Sequence, residues 1–296
     1  MNSEYSAPKA VLWMAGSITC FLVMSIAGRA ASKEIHVFQL LEMRTVIGLL
    51  MLYPLIHYAG GLAAMKTTRP VQHISRNVVH YAGQFSWFYA LTLIPLAELI
   101  SIEFTMPFWG AILAVMFLGE KLNAWKIAAI VLGVVGVAII VRPGAATIDT
   151  GHMVMLFGAF CFAISVVMVK SLTRTENVVR IIFWMLIVQT VIGLVPAIIV
   201  WKTPSSAIWL PIVIVAFTGT FSHYCMTRAL THADATFVMP IDFLRVPLSA
   251  AIGYALYAEN IDIYTAAGAA LILGGNLLNL FARPPLTPEQ ATVAKP

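Results

Sequence analysis

The chain has 296 residues, of which 60% are apolar and only 10% are charged. Its mean hydropathy of +0.89 lies far outside the range of soluble domains and excludes a water-soluble globular fold. The formal net charge is +5, which the loop lysines and arginines described below explain without a nucleic-acid partner. The 3 cysteines are isolated in apolar segments, so we predict no disulfide.

Ten apolar stretches of helical length follow one another along the chain. At about 1.5 Å per residue, most are long enough to cross a hydrocarbon core of about 30 Å. Because lipid cannot hydrogen-bond to exposed backbone groups, such segments must be helices, and we predict an all-α polytopic membrane protein. The ten predicted transmembrane helices cover residues 11–27, 38–58, 78–93, 96–118, 125–141, 153–169, 181–201, 208–230, 236–257 and 263–282.

An internal repeat divides these helices into two sets of five. Ala90-Leu91-Thr92 followed by Glu120 returns 139 positions later as Ala229-Leu230-Thr231 followed by Glu259. Five crossings per unit place the second unit upside down in the membrane, so we predict two inverted five-helix repeats. The same offset relates Glu103 to Asp242, Gln84 to His223, Ala111 to Ala250 and Gly136 to Gly275.

The first stretch also has features of a cleaved signal peptide, with Lys9 as a basic region and Ser25-Ile26-Ala27 as a small-residue site. Cleavage would leave nine helices and remove the partner of helix six, so we favour a retained first helix. The predicted repeats then span residues 10–143 and 152–282, and residues 283–296 are predicted to be a disordered cytoplasmic tail.

The positions of lysine and arginine in the loops predict the orientation. With loops assigned alternately to two sides, 12 of these residues fall on the side of the termini and 4 on the other side. We therefore predict a protein of the inner membrane with both termini in the cytoplasm. The side of the termini carries Lys9, Lys66, Arg69, Arg76, Lys121, Lys126, Lys170, Arg174, Arg180, Arg228, Arg283 and Lys295, and the other side carries Arg29, Lys33, Arg142 and Lys202.

Charged residues inside the predicted membrane segments are candidates for coupling or substrate binding. A charge at membrane depth costs about 2.5 to 3.5 kcal/mol on insertion scales, so it normally has a partner or a wet cavity. Arg44 and Glu103 lie at similar depths in the outer half and are expected to pair. Asp242 and Arg245 share one face of helix nine in the inner half, and Asp242 mirrors Glu103 in depth. Such pairs either lock helices together or bind a proton or a substrate carboxylate.

Helix three offers the best candidate for a face that lines a cavity. His80, Gln84 and Trp87 recur at helical spacing on one side of this helix, and Leu91 continues the stripe. His223 and its neighbour Tyr224 come at the mirrored place on helix eight. The alternative for a membrane histidine is a hydrogen-bonded packing residue. We favour the cavity because the two polar positions are related by the repeat.

Two tryptophans and three prolines complete the candidate site. Trp109 and Trp184 lie deep in helices four and seven, where they line a cavity or, alternatively, belong to an interfacial belt. Pro107, Pro240 and Pro247 interrupt helices four and nine, as expected around a transport site or gate. Ordinary kinks without motion have the same signature.

Other residues are better explained by architecture. Small residues four apart in helices five and ten predict a close helix–helix contact. Glutamates at the ends of helices four and nine are expected to cap neighbouring helix starts or to bind loop cations. These residues are Ala129, Gly133, Ala266, Ala270 and Gly274 for the small set, and Glu120 and Glu259 for the acids.

As a set, these residues resemble the drug/metabolite transporter superfamily, and within it the ten-helix bacterial proteins built from two EamA domains. The resemblance covers nearly the whole chain. It departs from the family pattern at Ala258, where glycine is common. The residues that carry it are Arg44, Ala90, Ile94-Pro95-Leu96-Ala97, Pro107, Leu118-Gly119-Glu120, Gly133, Gly136 and Arg142-Pro143 in the first half, and Ala229-Leu230, Pro247 and Glu259 in the second.

The resemblance implies a basket of helices around a central cavity that opens alternately to the two sides. Members move amino acids, drugs, nucleotide sugars and other metabolites, and the chain looks most similar to the aromatic amino acid exporters. We therefore expect a monomeric secondary transporter in the lipid bilayer that exports an amino acid, with proton coupling left open. The alternative is uptake of a metabolite or cofactor such as a nucleoside derivative.

Catalysis finds little support in the sequence. No zinc-protease, nucleophile-elbow, phosphate-loop or Cys-x-x-Cys motif occurs, so we expect no enzyme, no cofactor and no metal. An intramembrane enzyme would have to use His80, His223 and Glu103, the one conceivable cluster. A passive scaffold is the other alternative, and the charged and aromatic cavity candidates speak against it.

Overall fold

The computed structural model describes residues 6–118, 124–142, 149–172, 175–233, 238 and 241–281. Within these ranges no strand occurs, and the chain forms eleven α-helices and one 3-10 turn at Leu62–Met65. The helices are α1 (Ala7–Ala31), α2 (Val37–Tyr58), α3 (Pro70–Ala90), α4 (Leu96–Glu103), α5 (Met106–Leu118), α6 (Ala124–Val141), α7 (Thr150–Leu172), α8 (Val178–Ile199), α9 (Trp209–His232), α10 (Arg245–Tyr257) and α11 (Ile263–Phe281).

The helices follow the predicted order of membrane crossings. In the described part of the chain, 6 helical spans are long and apolar enough to cross a membrane, and one of them, Leu96–Leu113, joins α4 to α5. Two further apolar helices, Ile127–Val141 and Ile263–Leu278, are shorter. The predicted all-α polytopic membrane fold is confirmed, with α4 and α5 as the fourth crossing and α10 in the ninth. The tail at 283–296 lies outside the described residues.

Helix packing obeys a pseudo-twofold axis. Helix α1 packs against α9, and the repeat mates of these two helices, α7 and α3, pack against each other in the same way. The mates α2 and α8 form a direct pair, and so do α6 and α11. An inverted repeat requires this pattern, because any contact between the halves must recur with the roles of the halves exchanged. Below, the face where α1 begins is the terminal face, and the opposite one is the distal face.

The two halves pack closely in the seam between α6 and α11. A Cβ atom on Gly136 would lie 2.7 Å from the backbone oxygen of Gly268, and one on Gly275 would lie 2.8 Å from that of Ala129. These two contacts are each other's image at the repeat offset. The predicted close packing by small residues is confirmed, although the contact uses these glycines and leaves Gly274 in open space.

The fourth crossing is broken in the middle, at Phe104 and Thr105, between α4 and α5. Pro107 lacks the N–H that would bond to the carbonyl four residues earlier, so the helix ladder is interrupted there. At the repeat offset, Phe243 and Leu244 form a turn immediately before α10. The fourth and ninth crossings are therefore interrupted at equivalent depths.

Repeat mates meet at these two breaks. The rings of Phe104 and Phe243 contact edge to face with centroids 5.3 Å apart. Two equivalent residues can touch only near the axis that relates them, so the breaks mark the centre of the molecule. Pro247 lies in the first turn of α10, beyond the second break. Pro240 lies outside the described residues.

Helix α3 begins at Pro70, earlier than the predicted start at residue 78. Its first two turns carry His73, Arg76 and Asn77, which are polar yet buried. The Asn77 amide donates to the carbonyl oxygens of His73 at 2.8 Å and of Trp184 at 3.4 Å. These three side chains face protein rather than lipid, so a hydropathy criterion misses the start of α3.

The distal face is closed by contacts between the halves. Arg29 donates to the carbonyl oxygens of Leu91 at 2.9 Å and Ile94 at 2.7 Å, and it forms an ion pair with Glu259. Glu259 also accepts a hydrogen bond from the backbone N–H of Leu96 at 2.9 Å, at the start of α4. The predicted role of Glu259 as a cap and cation partner is confirmed; its mate at position 120 lies outside the described residues.

Further polar contacts join helices and loops at the distal face. The Glu98 carboxylate contacts His152 at 2.7 Å and Thr265 at 3.1 Å, so it joins α4, α7 and α11. In the loop after α1, Glu34 accepts from the backbone N–H and the hydroxyl of Ser205. These two hydrogen bonds, the backbone one first, hold the pKa of Glu34 below its usual value.

Candidate functional site

A buried arginine on α2 forms the centre of a polar layer in the membrane. Arg44 is only 5% exposed, and its guanidinium donates to the side-chain oxygen of Gln84 on α3 at 2.9 and 3.1 Å. The Gln84 amide is assigned the orientation in which its oxygen faces donors and its nitrogen faces an acceptor. Arg44 is thus held by a neutral amide.

The polar layer continues into both halves of the molecule. The Gln84 oxygen also accepts from His80 Nε2 at 3.1 Å, and its nitrogen donates to the oxygen of Gln189 on α8 at 2.8 Å. His80 Nδ1 lies 3.2 Å from the hydroxyl of Ser165 on α7. One connected network therefore joins α2, α3, α7 and α8, and it includes two residues of the predicted lining stripe.

Positive charge is in excess around this layer. Among the described residues, no carboxylate forms an ion pair with Arg44. Gly219 on α9 leaves room for the guanidinium, since a Cβ there would lie 3.1 Å from Arg44 Nε. His223 lies four residues after Gly219, on the same face of α9, and its side chain is exposed.

A second buried arginine has two acidic partners. Arg245 donates to Glu103 at 3.0 Å and to Asp242 at 2.7 Å, and Trp87 Nε1 donates to the other oxygen of Glu103 at 2.7 Å. The predicted contact between Asp242 and Arg245 is therefore present. Glu103 contacts Arg245 rather than Arg44, so the expected pairing of Arg44 with Glu103 is not the one that forms. Both acids meet one guanidinium beside the helix breaks, close to the midplane.

Aromatic rings enclose this ion cluster. The Arg245 guanidinium lies over the ring of Phe21 at 4.2 Å and over that of Phe104 at 4.7 Å. Phe21 in turn contacts Trp87 edge to face at 5.4 Å. Cation–π contacts of this kind stabilise a charge that has left water. Trp87 thus combines a polar contact to the cluster with an aromatic surface.

The other two tryptophans of the predicted site lie away from this layer. Trp109 packs edge to face on Phe160 at 5.5 Å, and it borders a small apolar cavity between the α4–α5 crossing, α6 and α7. Trp184 Nε1 donates to the carbonyl of Met65 at 3.0 Å, and its ring stacks on His73. Trp184 therefore fastens α8 to the turn after α2 near the terminal face.

Tyr224 lies on the accessible part of α9. Its ring stacks on Phe221 with centroids 5.8 Å apart, and it contacts Trp13 of α1 edge to face at 5.9 Å. The side chain is 45% exposed. Together with His223 it forms an accessible aromatic and polar surface on the same helix.

A second cavity does not coincide with the polar layer. It measures about 790 Å³ and lies between α4, α10 and α11, with Pro247 among its lining residues. Its walls are mostly alanine and other apolar side chains. This groove lacks the convergent polar groups that fix the orientation of a small-molecule ligand. The polar layer around Arg44 is the better candidate site.

Several buried polar residues of the interior are not among the predicted site residues. Glu42 on α2 and Tyr81 on α3 are each 5% exposed, and neither side chain has a hydrogen-bond partner among the described residues. Arg76 and Asn77 are buried as well, with a 2.7 Å hydrogen bond between them. Glu42 carried a usable signal, because it is a second charged residue inside the predicted segment 38–58.

Both halves of the chain match the model of one known protein family. The model of the EamA-like transporter family matches residues 8–142 and again residues 149–281. The chain belongs to the EamA-like transporter family. The two matches cover the two halves related by the pseudo-twofold axis, so each half is one EamA unit. The suspected membership in this family is confirmed.

Individual relatives of this EamA-like transporter differ in substrate and direction. The S-adenosylmethionine uptake transporter of Rickettsia prowazekii is 25% identical over 92% of both chains. A riboflavin transporter of Brucella anthropi is 30% identical over 78% of this chain and 84% of the relative. The pseudopaline exporter of Pseudomonas aeruginosa is 26% identical over 86% and 89%. The narrower resemblance to aromatic amino acid exporters stays a prediction.

A solved crystal structure shares the fold of this family member. It superposes with a TM-score of 0.63 at 17% identity, covering 98% of this chain and 100% of the other. The family and the named relatives are transporters, so the EamA-like chain is a multi-pass membrane transporter for small molecules.

Proposed function

We propose that this transporter takes up a metabolite or cofactor that combines a flat ring with an anionic group, such as a nucleoside derivative. Arg44 binds the anionic group, and the aromatic surface around Trp87 contacts the ring. Transport proceeds by alternating access, as the two halves rock about the α6–α11 seam. The direction is inward, which makes the alternative of the sequence analysis our first choice.

The observation that carries this proposal is the lack of an acidic partner for Arg44 among the described residues. A guanidinium in a membrane interior normally pairs with a carboxylate, and Arg245 in the same protein has two. The Gln84 amide is the hydrogen-bond partner that the described residues give Arg44, so the guanidinium keeps donors and net charge for a ligand. The planar fork of arginine suits a carboxylate or phosphate.

The relatives support the choice of substrate class. S-adenosylmethionine is a nucleoside derivative with a carboxylate, and riboflavin carries a flat ring system; these are the substrates in the names of relatives from Rickettsia and Brucella. Trp87, which is buried, and Phe21, which is half-buried, contact each other edge to face next to the ion cluster. A planar ring stacks on them once the two halves move apart, since stacking on aromatic side chains is the usual way that proteins hold planar rings. The substrate of this chain then shares the ring or the anionic group with these compounds.

Amino acid export, and export of an aromatic amino acid in particular, is the second candidate. It shares the carboxylate for Arg44 and the ring for Trp87, and a relative from Pseudomonas is named as an exporter of pseudopaline. We place both termini in the cytoplasm, because loop lysines and arginines concentrate on that side. On this assignment the closed distal face is the outer one.

The test is counterflow in proteoliposomes that contain the purified full-length chain. Labelled S-adenosylmethionine, riboflavin, tryptophan and phenylalanine are offered against unlabelled substrate inside. We expect exchange of S-adenosylmethionine, which has both the ring and the carboxylate, and faster exchange of it than of either amino acid. Exchange of riboflavin alone, which has no anionic group at neutral pH, would contradict the role of Arg44. Exchange of the amino acids alone would favour the second candidate, and exchange of none of the four would contradict both.

The role of Arg44 is tested in the same assay with whichever compound exchanges. In Arg44→Gln the half-saturation concentration is expected to rise by roughly 10- to 100-fold, since a hydrogen bond to a charged group contributes about 1.5 to 3 kcal/mol. Arg44→Lys keeps the charge but loses the planar guanidinium. Its half-saturation concentration is therefore expected to lie between those of the wild type and Arg44→Gln. Lys33→Gln, which removes an exposed charge from a distal loop, is the matched control. Equal values for Arg44→Gln and the control would remove Arg44 from the site.

A further inference from the structure

A buried carboxylate on α2 has no hydrogen-bond partner in the part of the chain that the structure describes. Glu42 lies on α2 with only 5% of its surface exposed. Both of its carboxylate oxygens are buried, and neither accepts a hydrogen bond from the described residues. An ionised carboxylate without donors is among the most costly groups to hold in a protein interior, whereas the protonated acid has no net charge to desolvate.

The surroundings of Glu42 are shaped around its carboxyl group. A Cβ on Gly193 of α8 would lie 2.7 Å from Glu42 Oε2 and 2.8 Å from the hydroxyl oxygen of Tyr81 on α3. The absent side chain of Gly193 therefore provides the space that both polar groups occupy. The Tyr81 hydroxyl is buried and lacks a hydrogen-bond partner among the described residues as well.

Among the described residues, no cationic side chain donates a hydrogen bond to Glu42. The titratable group that faces Glu42 from α3 is Tyr81, which is a neutral phenol and supplies no positive charge. From α8 it meets Gly193, and one turn away lie Gln189 and Thr190, which carry no charge. Arg44 lies two residues further along α2, where it turns towards Gln84 and towards Gly219 of α9.

We propose that Glu42 is an exchangeable proton-binding site of this transporter, with Tyr81 and Gly193 forming its pocket. The proton comes from water and returns to water, and no bond other than the carboxyl O–H forms or breaks. A metal ion does not suit the pocket, because the two carboxylate oxygens and one phenol fall short of the six or more oxygens that a hard cation takes.

The position of the site connects protonation to the motion of the halves. Helices α2 and α8 are repeat mates that pack directly on each other, and Glu42 lies in their seam. In the ionised state the carboxylate must reach water, which requires the seam to loosen. In the protonated state the seam closes around it. The coupling ion is thus a proton, an inference that rests on the proposed transport function.

The first test needs no substrate. Infrared spectra of the reconstituted protein are recorded across a pH series, and the Glu42→Gln spectrum is subtracted from that of the wild type. We expect the carbonyl band of a protonated carboxyl at pH values where the same subtraction for Glu34→Gln, an exposed acid bonded to Ser205, shows only carboxylate bands. Carboxylate bands alone in both subtractions would overturn the proposal.

Two further variants keep this test independent of folding in Glu42→Gln. Gly193→Ala places a methyl group against both oxygens, so the carboxyl band is expected to shift or to lose intensity. Tyr81→Phe removes the one hydroxyl in the pocket and is expected to shift the same band. An unchanged band in both variants would show that the titrating group lies elsewhere.

The second test separates coupling from transport. Proteoliposomes with an imposed pH gradient are expected to accumulate the exchanged substrate with the wild type and with Glu34→Gln. Glu42→Gln is expected to lose accumulation and to keep counterflow within about twofold of the wild type. Retained accumulation in Glu42→Gln overturns the proton site, whereas absence of counterflow in the wild type contradicts the proposed function instead.

Discussion

Arg44 and Arg245 are both buried arginines in the interior of the bundle, and their surroundings are opposite. Arg245 contacts two carboxylates and two aromatic rings, whereas Arg44 contacts the amide of Gln84 and has no acidic partner among the described residues. A charge with all its partners inside the protein contributes to structure, and one without them remains available for a ligand. The difference separates the part that holds the broken helices together from the part that binds substrate.

The largest effect on stability is expected at Arg245. Arg245→Gln leaves Glu103 and Asp242 buried next to each other without a cation, and such a loss costs about 3 to 5 kcal/mol. We expect little folded protein after purification, with a much lower melting temperature in detergent for what remains. The triple variant Glu103→Gln, Asp242→Asn, Arg245→Gln removes all three charges and should recover most of the loss. A single variant as stable as the wild type would contradict the structural role.

A paired arginine near the surface gives an intermediate case. Arg29 and Glu259 have side chains that are 12% and 17% exposed. Glu259→Gln removes the charge from the pair and weakens the hydrogen bond to the Leu96 N–H. We expect a loss of about 1.5 to 3 kcal/mol, measured by thermal unfolding in detergent. Because the contact closes the distal face, labelling of a single cysteine introduced on that face should also become faster.

Arg44 itself is expected to matter less for stability than for transport. In Arg44→Gln the Gln84 oxygen keeps its hydrogen bond from His80, so no buried acceptor is left without a donor. We expect a loss of about 1 kcal/mol in thermal unfolding, together with the affinity loss described above. A loss as large as that of Arg245→Gln would show that Arg44 is a structural residue.

The smallest effect is expected at the pair of Arg142 and Asp262, whose side chains are 33% and 44% exposed. Asp262→Asn removes the charge and keeps an oxygen for the backbone N–H of Thr265, which caps α11. Exposed pairs contribute about 0 to 1 kcal/mol, and salt screens them. The melting temperature should change little, and any change should vanish at high salt; a salt-independent loss would indicate that the pair is effectively buried.

Sequence reasoning predicted the fold well because lipid imposes a simple requirement on each crossing. Length and hydropathy were sufficient to predict an all-helical membrane protein, and the repeat offset was sufficient to predict its two units. The prediction failed where protein replaces lipid as the surroundings. Helix α3 starts before its apolar stretch because His73, Arg76 and Asn77 are buried against other helices.

The site was predicted only in part, for a different physical reason. Depth in the membrane can be estimated from sequence, but the direction in which a side chain points around the bundle cannot. Similar depth in the membrane predicts an ion pair between Arg44 and Glu103, yet in the structure Arg44 contacts Gln84 and Glu103 contacts Arg245. Asp242 and Arg245 were matched by helical spacing, which fixes direction as well, and they do meet. Glu42 was overlooked beside Arg44, although it lies in the same segment.

The reciprocal glycine contacts of the α6–α11 seam make it an isologous interface within one chain. Gly136 meets Gly268, and Gly275 meets Ala129, as two copies of one surface would meet in a symmetric dimer. Every contact of this kind therefore exists twice in each molecule. A substitution in one half leaves an unaltered copy of the same contact in the other half as its internal reference.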